Sequence, residues 1–356
     1  MLSYYAFKIP FISPFRISNQ TLNTRNGIYI VFDTGDFRAY GEIAPLPGFS
    51  KETIHQVVAV LLENQRNLEQ AILKNEVEQF ISILDSIHNF PSLSFGLDLL
   101  MLDLKSKERS KSLFSMFTDK DPKKPNVNGA IGVLDVESSI AKAQSIIQEG
   151  INTLKIKVGV DQTKEMEVIG AIRKRFPKAT IRIDANQAWT PKNALRNLEL
   201  FEAYDIEYCE QPVSKYDIKG LKKVKNETSI PIAADESALG FNEAKLLIEE
   251  HACDVIILKP SLFGRIKNCL LIKELCFSNG VELVITTAFD TIIGRTITAV
   301  LAAHLGSDKY AHGLATGRYL QETIFLPQEI HQGKYVLPSS AGISLNLDVS
   351  NFKKLS

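Results

Sequence analysis

The chain has 356 residues, 45% hydrophobic and 23% charged, with 41 Lys and Arg balanced by 41 Asp and Glu. This is ordinary globular composition, long enough for more than one unit, and its zero net charge argues against nucleic acid as a partner. Four cysteines without a CxxC pair read as buried small hydrophobes of a reducing compartment, not as a disulfide framework or zinc site. No leader pattern opens the sequence and no run of about 18 apolar residues occurs, so the expectation is a cytoplasmic protein with no membrane partner.

The first part, to about residue 125, carries strand signals at YYAFKIPF, GIYIVFDTG and FRAYGEIA, the last two joined by a hairpin turn at Thr34-Gly35-Asp36. A loop at Pro45–Phe49 follows. Ser50, with Glu52 behind it, reads as the cap of a helix whose apolar residues recur at three- and four-residue intervals. FGLDLLMLDLKSKE continues the helical pattern. The unit is therefore α+β. Thr118–Asn128, polar and Pro-containing, reads as the boundary.

Eight apolar runs follow at regular intervals: 127–132, 153–159, 180–186, 206–212, 230–237, 253–261, 281–290 and 309–317. Amphipathic helices separate them, one of them opening at Thr190 with Pro191 at its first position. Such alternation predicts parallel strands with helical crossovers, and eight strands close a (β/α)8 barrel, here with the last helix missing or altered. A doubly wound sheet is the alternative, but GxGxxG and GxxxxGK[ST] are both absent. Lys222-Lys223-Val224-Lys225 reads as a solvated helix face. The tail from about Arg318 holds short strand signals at TIFL and GKYVLP, expected to pack back on the first unit.

In a barrel the active site lies at the C-terminal ends of the strands. Those positions read Lys155 and Lys157, Asp184 and Asn186, Glu210, Asp235 and Glu236, then Lys259. In TLKIKVG the two lysines alternate with Leu154, Ile156 and Val158, so both ammoniums share the face opposite the apolar one. Asp184, Glu210 and Asp235 sit one βα unit apart. Three converging carboxylates repel one another unless a cation joins them, and an all-oxygen set suits Mg²⁺ or Mn²⁺. Lys155 is placed to depress the pKa of Lys157 and make it a base. The bland reading of these residues is a set of Lys–carboxylate pairs. A metal on one side and lysines on the other can take a proton from a carbon next to a carboxylate.

The motifs KIK, IDAN, CEQP, ADES and LKPS, in that order, resemble the muconate-lactonizing subgroup of the enolase superfamily. The resemblance implies an α+β capping domain at 1–125, completed by the tail 318–356, and a modified (β/α)7β barrel at 126–317. It assigns Asp184, Glu210 and Asp235 to the metal, with Lys157 and Lys259 flanking a small carboxylate substrate. TRNGIYI, GEIAPLPGFSKET and the ITTAFDTIIG–HGLATG pair resemble the o-succinylbenzoate synthase family. That resemblance implies a syn dehydration in menaquinone biosynthesis. Lys157 removes the α proton and returns it to the departing hydroxide, Lys259 sits on the other ring face, and Thr286 and Gly313 hold the succinyl end. Phe289-Asp290 departs from the family's aliphatic-Glu pair, and Lys107–Leu113 lacks its Gly-Pro step.

Two rivals stand beside this. Dipeptide epimerases and N-acylamino acid racemases use the same lysines as two bases; the epimerases carry a DxD pair where this chain reads AHGLATG. A non-catalytic ligand-binding barrel is the other, and the presence of both lysines and all three acids argues against it. His304 and His312 read as structural.

Overall fold

The computed structural model of the chain describes residues 1–17, 20–322 and 329–355. Strands β1 (Leu2–Ile17), β2 (Gln20–Asp33) and β3 (Arg38–Ile43) form an antiparallel meander, followed by helices α1 (Ile54–Leu73), α2 (Val77–Ser86) and α3 (Pro91–Glu108). One face of the sheet buries Ile28, Ile30 and Phe32 against Val57, Leu61, Leu97 and Leu100 of α1 and α3. At the crossing of β3 and α3 a Cβ on Gly41 would lie 2.4 Å from the Gly96 carbonyl, so only glycine admits the contact.

Ser50 is not the cap of α1. Thr53 is, in a reciprocal capping box with Gln56. Ser50 instead accepts from the Leu46 amide, and Glu52 is buried, accepting from the Ser92 amide at the start of α3. Both polar side chains serve loop closure and helix packing, which local spacing does not distinguish from capping.

The parallel strands follow as β4 (Asn128–Ile131), β5 (Thr153–Lys157), β6 (Thr180–Asp184), β7 (Ile206–Glu210), β8 (Ile232–Ala234), β9 (Val255–Leu258) and β10 (Glu282–Ile285), paired in sequence order. Between them run α4 (Val136–Gln148), α5 (Gln162–Arg175), α6 (Pro191–Phe201), α7 (Ile218–Glu227), α8 (Phe241–Glu249), a short α9 (Pro260–Phe263) and α10 (Ile266–Ser278); α11 (Ile292–Leu305) follows β10. Thr190 caps α6 with Pro191 at its first position, as expected. The eighth run closes the ring through two single parallel bridges, Val127 with His312 and Thr286 with Gly313. It ends in a 3-10 turn, Ala315–Tyr319, where a helix would otherwise stand.

The tail divides its contacts. A short hairpin, β11 (Ile330–His331) with β12 (Lys334–Tyr335), lies against Pro125 and Asn126 at the entry to the barrel, while Leu320 bridges Phe11 of β1, the Ile343 amide donates to Asp103 of α3, and β13 (Lys353–Leu355) pairs with β1. TIFL (323–326) lies outside the described residues. All four cysteines are buried free thiols. Among the described residues no helix is long and apolar enough to cross a membrane.

Candidate active site

Register assembles the site. Lys157 stands opposite Asp184 across β5–β6, and Asp184 opposite Glu210 across β6–β7. The three residues therefore lie side by side at one level of the barrel mouth. Leu154, Ile156 and Val158, on the other face of β5, are buried under the helices, as the alternation of TLKIKVG predicts. Below this level Arg182, fully buried, stacks its guanidinium 4.5 Å from the Tyr208 ring and 5.6 Å from that of Tyr310. Its pairing with Glu207 and the Ala311 carbonyl plugs the lower barrel.

Asp184, Glu210, Asp235 and Glu236 are all buried, and Lys155, Lys157 and Lys259 meet them. Lys157 lies 2.6 Å from Asp184 and also donates to Asn186; Lys155 lies 3.0 Å from Asp184 and 2.8 Å from Glu210; Lys259 pairs with Asp235. Asn186 donates to Glu236 at 3.0 Å. Thr286 and Gly313 meet on the far side: a Cβ on Gly313 would fall 1.9 Å from the Thr286 hydroxyl, which donates to the Gly313 carbonyl.

The ion pairs anticipated as the bland reading are thus formed, and among the described residues no three acidic, His or Cys side chains stand ready-gathered around one point. The charges do not balance, however. Four carboxylates face three ammoniums. Burial lowers the Lys155 pKa, but Asp184, Glu210 and Asp235 outweigh it and hold that lysine well above its ordinary value. Its nearest charges are thus carboxylates, not the neighbouring ammonium. Asp184 resists burial because both lysines of β5 hold it far below the usual carboxylate range. Glu210 is pushed up to about 8 by burial and then by Asp184, and Glu236 is raised by burial and then by Asp235. Among the described residues Glu236 Oε2 is a buried acceptor with no partner. A buried, all-oxygen group short of positive charge fits a hard divalent cation.

Two residues without an assigned role from sequence support this group. Gln211, fully buried at a left-handed φ of 39°, accepts from the Asp235 and Ser237 amides at 3.0 Å each and donates to the Val213 carbonyl and the Ser237 hydroxyl. It ties the tip of β7 to the tip of β8. Its signal was an amide inside the apolar run that ends in CEQP. Phe49, from the first unit's Pro/Gly loop, places its ring 5.1 Å from the Lys259 ammonium.

Residues 138–351 match the family described as "Enolase C-terminal domain-like", and residues 1–104 match "MenC, N-terminal domain". The chain belongs to the enolase superfamily. It is an enzyme of that superfamily, and relatives with two activities resemble it. A hydrophobic dipeptide epimerase of Enterococcus faecalis is 31% identical over 84% of this chain and 85% of its own. An o-succinylbenzoate synthase of Listeria innocua is 25% identical over 98% and 93%. Among solved superfamily structures, the Enterococcus faecalis dipeptide epimerase complexed with Mg and the dipeptide L-Leu-L-Tyr superposes with a TM-score of 0.85 at 27% identity, covering 96% of this chain and 98% of that one. His312 packs structurally, its Nδ1 accepting from the Ile285 amide, and His304 stacks on Phe117.

Proposed function

We propose that this superfamily member is an o-succinylbenzoate synthase that dehydrates 2-succinyl-6-hydroxy-2,4-cyclohexadiene-1-carboxylate, the step named above for menaquinone biosynthesis. Lys157 takes the proton α to the ring carboxylate, and the charge left behind spreads onto that carboxylate as an ene-diolate. The C–O bond to the neighbouring hydroxyl then breaks, and the Lys157 ammonium gives its proton to the departing hydroxide on the same face. Lys259, held by Asp235 and Phe49, faces the ring from the opposite side. Asp184, Glu210 and Asp235 would hold Mg²⁺ or Mn²⁺, whose charge stabilises the developing ene-diolate oxygens. The division into a capping domain (1–125 with 318–356) and a barrel (126–317) belongs to the same reading.

One observation carries the choice of substrate. Where an epimerase of this superfamily presents a DxD pair to a substrate amine, this chain presents Ala311-His312-Gly313, with Gly313 closed on Thr286. A glycine and hydroxyls suit a carboxylate-bearing arm, not an ammonium. The cap's match to the MenC N-terminal family and the near-complete alignment with a synthase support the same choice. The second reading is a dipeptide epimerase, favoured by the relative with 31% identity; Lys157 and Lys259 would then act as two bases on opposite faces. An assay of the purified enzyme with Mg²⁺ against the succinyl cyclohexadiene and a dipeptide panel separates the two. Aromatisation of the former is expected; epimerisation without any dehydration transfers the enzyme to the second reading.

A further inference from the structure

Phe289 departs from the family's pattern and has no part in the proton chemistry. It follows β10 at the barrel mouth and adopts a left-handed φ of 56°, a rare backbone state for a bulky residue. Such a conformation persists only where the surroundings over-determine it, and it then points to function. Here the surroundings are Arg25. This β2 side chain is 1% exposed and donates from Nε to the Phe289 carbonyl at 3.1 Å. Its other nitrogens hold the carbonyls of Asn26, Ala44 and Pro45. One guanidinium thus clamps the tip of the seventh strand to the loop that carries Phe49 onto Lys259.

The clamp aims a ring. Phe289 meets Phe11 of β1 edge-on, centroids 5.4 Å apart, and Tyr319 of the closing turn at 6.1 Å. The Tyr319 hydroxyl reaches the Ala130 carbonyl, and Ala130 pairs in register with Lys155. Phe289 is half-exposed. Of the three rings, Phe11 is buried, whereas Phe289 and Tyr319 are partly exposed and lie past the C-terminal ends of β10 and the eighth run, where Thr286 also stands. We propose that Phe289 is a specificity-determining residue whose ring walls the space for the substrate's far end, and that Arg25 is its positioning residue. The wall offers aromatic edges and faces, so it packs on the apolar carbons of the substrate's far end and sets how much room they have. This rests on the reading of that side of the mouth as the place of the substrate's arm.

The test uses the full chain with Mg²⁺ and whichever substrate the wild type turns over, the succinyl cyclohexadiene or a dipeptide. Phe289→Gly accepts the backbone conformation and removes the ring. KM is expected to rise roughly tenfold or more, while α-proton exchange in D₂O at saturation changes little. A merely structural residue would not split KM from exchange in this way. Arg25→Lys keeps the charge but cannot span the four carbonyls, and the same KM rise is expected; in Arg25→Lys/Phe289→Gly the two fold-changes should fail to multiply. An unchanged KM in Phe289→Gly, or fold-changes that multiply, overturns the proposal. If Arg25→Lys does not fold, Arg25→Gln replaces it; failure of both to fold assigns Arg25 a structural role and overturns its positioning one. A wild type that epimerises without dehydrating defeats the proposed function alone, and the wall is then read on the dipeptide.

Discussion

The two halves of the barrel mouth are built on different principles. From β5 to β9 the strands and their tips carry charged side chains set against one another: Lys157 on Asp184, Lys155 on Asp184 and, one strand further, on Glu210, Lys259 on Asp235. From β10 through the eighth run to β4 the tips carry a threonine, a glycine and rings held by contacts from the cap and the closing turn. The first half has what proton transfer requires. The second has what shapes a space. On the proposed reading, chemistry is carried by side-chain charge, and selectivity by backbone fit and contacts between distant segments.

The largest expected effect tests the charged half. Lys157→Ala should lower turnover by roughly 10²–10⁴-fold, the range of a lost general base, with circular dichroism unchanged; substantial residual dehydration would place proton transfer elsewhere. Dialysis against EDTA should silence the enzyme, with Mg²⁺ or Mn²⁺ restoring it, and indifference to chelation would remove the cation from the reading. Gln211→Met should weaken cation binding by about 10–100-fold, as loss of a supporting shell does, read by Mn²⁺ titration with electron paramagnetic resonance. The other half should answer in stability. Gly313→Ala drives a methyl into Thr286, and overpacking of this kind costs about 1–3 kcal/mol, read as a lower Tm.

The smallest effect concerns the seam between cap and barrel. Glu42, on β3, is buried and accepts from the Thr291 amide and hydroxyl and the Gly294 amide at the start of α11. Burial, then Asp290, raises its carboxyl from the ordinary 4.5 to about 7. The folded chain therefore binds this proton more tightly than the unfolded chain does. The stability this confers is whole below about pH 4.5 and is lost as pH rises through 7. A single proton is at stake, so the slope stays under about 1.4 kcal/mol per pH unit. Glu42→Gln should flatten the Tm profile between pH 4.5 and 7; an unaltered slope would assign it to other groups.

The charged half was legible in the sequence because its residues interrupt apolar runs at a repeating interval. Asp184 and Glu210 stand out where a parallel strand otherwise carries Val or Ile. The barrel was legible from the same rhythm, including the loss of the last helix. In the other half, resemblance picked out Thr286 and Gly313 and marked Phe289 as a departure, but did not show the contact that joins Phe289 to Arg25. Phe289 in ITTAFD looks like any aromatic after a strand, and Arg25 in TRNG like any surface arginine. What gives each its place is a carbonyl or ring more than 200 residues away, and a backbone acceptor leaves no mark in composition. The cap of α1 was misplaced by three residues for a related reason: Ser, Glu and Thr can each satisfy an amide, and tertiary packing decides which.

The bond from Glu42 to Thr291 spans 249 residues. At roughly 5–20 residues per second, synthesis separates the two by tens of seconds. For that interval the first unit's sheet and helices can assemble while Glu42 still faces water. The N-terminus of α11 then emerges into a site already bearing its carboxylate. This seam therefore closes only after nearly the whole barrel has been synthesised, and the mouth is completed only when α11 docks on a carboxylate laid down at the other end of the chain.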